Sequence, residues 1–269
     1  WHAHPIDLIE VSDKEALMVT GEGLPNGQMI LWDLREGKRL ATLRPHLDVT
    51  LCASFSSDYS MLVTAGLDLQ HRHQIVVWDI AVLVVEKAVA IGRSNAIVAK
   101  QISEFPLTRI RFSPFEEFSL VSCGRENIRF WRIRKGHLPG RPVLLNEYSR
   151  GYSFSDVAFH ADGPPATRKP SVYVASNKGL LLRINCQTDQ IVCAYQLHTA
   201  AIRSLSIHSG YAVTGAEDSK LRLWPLDFSD FLLEAQHEGV ISNIRVAADG
   251  RKLAIGTTVG TLGVLNVSE

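Results

Sequence analysis

The chain has 269 residues, 46% of them hydrophobic and 21% charged, a composition that excludes disorder and suits a globular chain with a sizeable core. Its 28 Lys and Arg offset 28 Asp and Glu, so the whole-molecule positive field of a nonspecific nucleic-acid binder is excluded and any polyanion must be met locally. The strongest apolar run, Ile80 to Val85, is far shorter than the ~20 residues that span a bilayer, and no charged n-region with an apolar h-region opens the sequence. Neither a membrane nor a nucleic acid is therefore expected as a partner. Cys52, Cys123, Cys186 and Cys193 are irregularly spaced and form no C-x-x-C pair. They suit a reducing, cytoplasmic setting and buried positions without chemistry.

Taken in chain order, short apolar runs end in tryptophan at Trp32 (ILWDL), Trp78 (IVVWDI), Trp131 (IRFWRI) and Trp224 (LRLWPL). GLLLRIN lies between the last two, with Arg183 where the tryptophan would stand, and GTLGVLNV closes the series around Leu265. The anchors are 46, 53, 52, 41 and 41 residues apart, near the ~40–45 of a four-stranded repeat unit. Within each unit a strand ending in FSSD, FSPFEE, FHADG or VAADG leads through a turn to LVTAG, LVSCG, YVAS, AVTG or LAIG, then to the anchor strand. The turns centre on Asp13, Asp58, Glu116, Gly163, Ser209 and Asp249, and Asp249-Gly250 is a strong hairpin signal. Outer strands are expected in KRLATL, PVLLNEY, QIVCAYQL and DFLLEA. No segment sustains helical periodicity between caps, and the β-branched content of Val82 to Ile91 favours strand.

These repeats resemble the WD40-repeat β-propellers over essentially the whole chain. The expected fold is all-β, a WD40-type β-propeller with six four-stranded blade units at about 1–44, 45–92, 93–148, 149–197, 198–235 and 236–269. The resemblance implies a buried network of His198, Thr214, Asp218 and Trp224 in the fifth unit, where an unpaired polar group costs about 1–3 kcal/mol. His46, Thr64, Asp68 and Trp78 give the second unit the same set with a longer turn. The third unit lacks the His, and the fourth and sixth lack Asp and Trp. The string Ser122 to Trp131 looks like that of microtubule-associated WD-repeat proteins, including the echinoderm microtubule-associated protein-like family.

Little in the sequence points to catalysis. There is no G-x-S-x-G elbow and no H-E-x-x-H helix. Asp68, His71 and His73 are too few and too loosely placed for a zinc site. GEGLPNG and GTTVGTLG read as hairpin turns, since neither leads through a Lys-Ser/Thr ending into a helix. No catalytic, metal or cofactor residue is assigned.

Charge is the one asymmetry. Residues 121–150 carry Arg125, Arg129, Arg132, Arg134, Lys135, Arg141 and Arg150 against Glu126 and Glu147. In a propeller, the turn Arg134 to Arg141 and the Pro-rich insertion Ala161 to Pro170 belong on the same rim of adjacent blades. Arg134, Lys135, His137, Arg141, Arg168 and Lys169 are thus the candidate partner-binding residues, facing proteins such as tubulin or microtubule-associated proteins. The expected function is a noncatalytic interaction scaffold, centriolar or ciliary by resemblance. The alternative is a substrate receptor of a cullin-RING ubiquitin ligase, suggested by Trp32-Asp33-Leu34-Arg35. The sixth unit lacks an outer strand, so further WD repeats of the same polypeptide, in a seven-bladed or tandem propeller, are expected to pair with Leu262 to Val267.

Overall fold

A computed structural model describes residues 2–12, 16–92, 94–163, 169–208 and 210–267. It holds two compact units. The first comprises Trp1–Gly124 and Arg129–Arg141. Its opening strands are β1 (Ile6–Val11), β2 (Leu17–Glu22), β3 (Met29–Asp33) and β4 (Lys38–Arg44), followed by β5 (Thr50–Phe55), β6 (Met61–Leu67) and β7 (His73–Asp79). A helix, α1 (Ile80–Glu86), then leads to β8 (Ala88–Ala90) and β9 (Ile97–Ser103). The remaining strands are β10 (Leu107–Phe112), β11 (Ser119–Gly124), β12 (Asn127–Arg132) and β13 (Gly140–Pro142). They form sheets of order β1-β2-β3-β4-β8, β5-β6-β7-β9 and β10-β11-β12-β13. First strands of consecutive sheets are neighbours, β1 beside β5 and β5 beside β10, and a continuous core from Leu8 to Leu138 fills the space between sheets.

The second unit comprises Arg125–Ile128 and Pro142–Glu269. Its strands are β14 (Phe154–Asp162), β15 (Lys169–Ser176), β16 (Leu180–Asn185), β17 (Ile191–Gln196), β18 (Ile202–Ile207), β19 (Ala212–Ala216), β20 (Lys220–Trp224), β21 (Leu233–Gln236), β22 (Ile241–Val246), β23 (Lys252–Thr257) and β24 (Leu262–Asn266). They make two four-stranded sheets and a three-stranded one, β22-β23-β24. Polar side chains join successive sheets here: Leu205 N–H donates to the Asp156 carboxylate at 3.0 Å and Ile244 N–H to the Ser204 hydroxyl at 2.9 Å. Both acceptors are buried, so each bond satisfies a donor and an acceptor that water cannot reach.

Each of the six first strands carries a register shift just after its first pair, at Ile6/Leu8, Thr50/Cys52, Leu107/Arg109, Phe154/Asp156, Ile202/Ser204 and Ile241/Asn243. Such a bulge sharpens the twist of a strand pair, and its recurrence aligns the sheets residue by residue. Thr20, Thr64, Ser122, Val174, Thr214 and Ile255 then occupy one position, two residues before the partner of the first bulge residue. Second strands β6, β11 and β19 are buried almost end to end, whereas β23 alternates between exposed and buried residues. Alternation marks a sheet covered on one face only.

Several sequence expectations need correction. Residues 80–86 are helical rather than extended: the Asp79 carboxylate caps the helix by accepting Val82 N–H at 3.0 Å, and Ile80 and Leu83 are buried. Cap and packing override the β-propensity of the valines. The outer strand of the second sheet is β9, which pairs with β7 beyond the boundary expected at residue 92. In the third sheet the outer strand is only Gly140–Pro142, and PVLLNEY continues into a 3-10 turn at Asn146–Tyr148. Arg183 does not take the anchor position. Val174 pairs with Leu182, which places Ile184, fully buried, where Trp78 and Trp224 stand. Arg183 instead donates to the Ser171 hydroxyl and pairs with Asp162. The turn centres Asp13 and Ser209 lie outside the described residues.

Candidate protein-interaction surface

The buried polar network of the fifth sheet links four side chains in series. Trp224 Nε1–H donates to the Thr214 hydroxyl at 2.8 Å, His198 Nε2 lies 2.7 Å from that hydroxyl, and His198 Nδ1 lies 3.1 Å from the Asp218 carboxylate. A carboxylate only accepts, so Nδ1 carries the proton and Nε2 receives the threonine hydrogen. Burial holds the His198 pKa below its ordinary value despite Asp218, in keeping with a neutral ring. Asp218→Ala is expected to cost about 1–3 kcal/mol by stranding Nδ1–H, read as a lowered denaturant midpoint; an unchanged midpoint would refute this.

The first sheet contains an equivalent network that the sequence reading did not find. His2 Nε2 lies 2.6 Å from the Thr20 hydroxyl, Trp32 Nε1–H donates to the same hydroxyl at 2.8 Å, and His2 Nδ1 lies 3.2 Å from Glu22. Glu22 replaces the turn aspartate from within β2. Burial raises its pKa, but bonds from Gln28 N–H, Ala3 N–H and His2 overcome this and bring it to about 2. The available signal was spacing: His2, His46, His198 and His237 all stand four residues before the first paired residue of a first strand.

The second sheet keeps only part of the set. Trp78 Nε1–H donates to Thr64 at 3.0 Å and His46 Nε2 lies 3.1 Å from it. Asp68, however, accepts Gln70 N–H and Arg72 N–H at 2.9 Å and Arg72 Nε–H at 2.8 Å. The longer turn thus diverts the carboxylate, and His46 Nδ1 has no partner among the described residues. Burial, helped by the charge of Lys100, pushes the His46 pKa down to about 3. In the third sheet Trp131 donates to Ser122 at 2.8 Å, and Ser103 occupies the histidine position. In the sixth, Ile255 replaces the hydroxyl residue, and His237 Nε2 lacks a partner among the described residues.

His73 Nδ1 accepts Leu107 N–H at 3.1 Å and His71 pairs with Asp48 at 3.0 Å. With Asp68 bound to Arg72, these side chains serve the turn and do not converge. Asp33, in the Trp32–Arg35 string, likewise accepts N–H bonds from Arg35 and Glu36, at 2.8 and 3.1 Å.

Of the basic residues, Arg129 stacks over Phe105 and Trp131 at 5.1 and 5.3 Å, and Arg132 faces Glu116 at 3.8 Å. The tip of the β12–β13 hairpin differs. Arg134 and His137 exchange backbone hydrogen bonds, both 2.9 Å, around Lys135 and Gly136, whose φ angles are +46° and +84°. That is the geometry of a type I′ turn. Leu138 is buried behind it, while the side chains of Arg134, Lys135 and His137 are exposed, with no ion pair among the described residues. Arg141 is exposed in β13, and Lys169, exposed, opens β15 opposite Asp162. Arg168 lies outside the described residues.

Residues 37–79 and 189–225 match the family "WD domain, G-beta repeat". The fold matches the β-propeller domain of Cps50 (Swd1) from Myceliophteria thermophila with a TM-score of 0.76 at 14% identity, covering all of this chain and 88% of that one. The chain is a WD40-type β-propeller built of six blade sheets. It is 36% identical to Centriole proteome protein 16 of Chlamydomonas reinhardtii over 252 residues, 88% of this chain and 12% of that protein. It is also 31% identical to WD repeat-containing protein 90 of Homo sapiens over 286 residues, 98% of this chain and 16% of that protein. Echinoderm microtubule-associated protein-like 2 of Rattus norvegicus is 24% identical over 265 residues, 95% of this chain and 37% of that protein. The chain thus spans about an eighth to a sixth of the length of the first two relatives.

Proposed function

We propose that this propeller is a noncatalytic interaction scaffold that docks on microtubule-wall or tubulin-associated proteins of centrioles or cilia. The observation that carries the reading is similarity, across nearly the whole chain, to proteins named for the centriole proteome and for microtubule association. The docking surface in this reading is the β12–β13 hairpin that carries Arg134, Lys135, His137 and Arg141. The exposed Arg134 and Lys135, with no ion pair among the described residues, suit an acidic protein, because uncompensated surface charge steers encounter and favours opposite charge.

Co-sedimentation with microtubules at physiological salt tests the docking. The wild-type chain is expected to pellet, and Arg134→Glu with Lys135→Glu is expected to weaken pelleting about tenfold and to flatten its salt dependence. Pelleting indifferent to the double charge reversal would remove the hairpin from the mechanism.

A further inference from the structure

The type I′ turn of the β12–β13 hairpin leans over β9. A Cβ placed on Gly136 would sit 4.0 Å from the Val98 carbonyl oxygen. Between turn and strand lies an open cavity of about 630 Å³, lined by Gln101, Arg134, Lys135, His137 and Pro139. Among the described residues none of those lining it is acidic, and the three ionisable ones are exposed without an ion pair. The turn that carries them is held from both sides, by its reciprocal backbone bonds and by buried Leu138. Lys135 tolerates a left-handed backbone there, a conformation that costs a non-glycine residue energy and tends to persist where surrounding structure fixes it.

We infer that this cavity binds a short acidic peptide segment, whose Glu and Asp side chains meet Arg134, Lys135 and His137. The inference rests on the docking reading above and specifies the chemistry of what docks. Two features favour several separated carboxylates over one compact anion such as phosphate. The N–H groups of Arg134 and His137 are both spent inside the turn, so these two supply no backbone donors to a nest for a tetrahedral anion. The side-chain donors of Arg134 and Lys135 sit at the ends of separate side chains, and the open cavity offers more room than one phosphate fills.

The experiment is a fluorescence-anisotropy titration of the whole chain with a labelled octaglutamate peptide, repeated with inorganic phosphate as competitor and in parallel with microtubule pelleting. Saturable binding is expected, weakened at least tenfold in Arg134→Glu with Lys135→Glu and left in place by phosphate at equal ionic strength. Arg134→Gln with Lys135→Gln serves as the milder variant, with an expected intermediate loss, and thermal melting checks that both variants fold. Binding unaffected by either variant, or phosphate displacing the peptide fully, overturns the inference. Pelleting with microtubules without any peptide binding also overturns it while leaving the docking reading intact. Peptide binding without pelleting supports the cavity and rejects the docking reading.

Discussion

Thr214→Val should destabilise the protein by about 2–6 kcal/mol. The Thr214 hydroxyl accepts from Trp224 Nε1–H and serves His198 Nε2, and both partners are buried. Valine matches the shape but leaves two polar groups unpaired at about 1–3 kcal/mol each. Thr214→Ser keeps the oxygen and should cost much less. Denaturant unfolding of the two variants checks the claim, and equal midpoints would contradict it. The fourth sheet shows why the loss comes from orphaned partners rather than from the hydroxyl itself. There Val174 and Ile184 fill the same two positions, both buried, with no polar group to strand.

A second large effect is expected from pH. The buried His46 ring titrates near 3 in the folded protein and near 6.5 when unfolded. Between these values the unfolded chain binds the additional proton, so the stability contribution is complete above about pH 6.5 and is lost as pH falls toward 3. From pH 6.5 to pH 5 the loss should be on the order of 2 kcal/mol. His198, whose pKa is also lowered by burial, adds to the loss in the same direction. His46→Gln removes one titration, so its unfolding free energy should fall less steeply over this interval. Parallel pH profiles for wild type and variant would show that His46 is not the source. Glu22 enters below its ordinary pKa of 4.5, so the interval above pH 5 separates the histidine contribution from the carboxylate one.

Much of the architecture was readable because the repeat carries its own ruler. A tryptophan indole must find a buried acceptor, and at Trp32, Trp78, Trp131 and Trp224 it finds a Ser or Thr on the neighbouring strand, which ties anchor spacing to strand register. Where the indole is missing, so is the ruler. In GLLLRIN a run of leucines gives no alternation, and a one-residue slip moved the anchor from Ile184 to Arg183. The network of the first sheet was missed for a related reason: its acid, Glu22, acts from inside a strand instead of from the turn. In the second sheet the residue types were right, but Arg72 captured the aspartate, a competition that residue spacing does not express. The helix at Ile80–Glu86 depended on one cap and two buried contacts set by tertiary packing. At the candidate surface, charge density picked out the hairpin tip, whereas separating stacked Arg129 from exposed Arg134 required the fold.

The short strand β8 has a further consequence. It arises between β7 and β9, two paired members of the second sheet, yet pairs in parallel with β4 of the first through Thr42, Leu43 and Arg44. Its preceding helix also lies against β4 and β7. Neither sheet can therefore open along its outer side without drawing on the other, because the segment that leaves one is hydrogen-bonded into its neighbour. In a repeat protein whose units could otherwise fray one at a time, this exchange fuses the first two repeats into a single cooperative block. Amide protons of β4 and β9 should then open together, so that the unit of local unfolding is larger than the unit of sequence repetition.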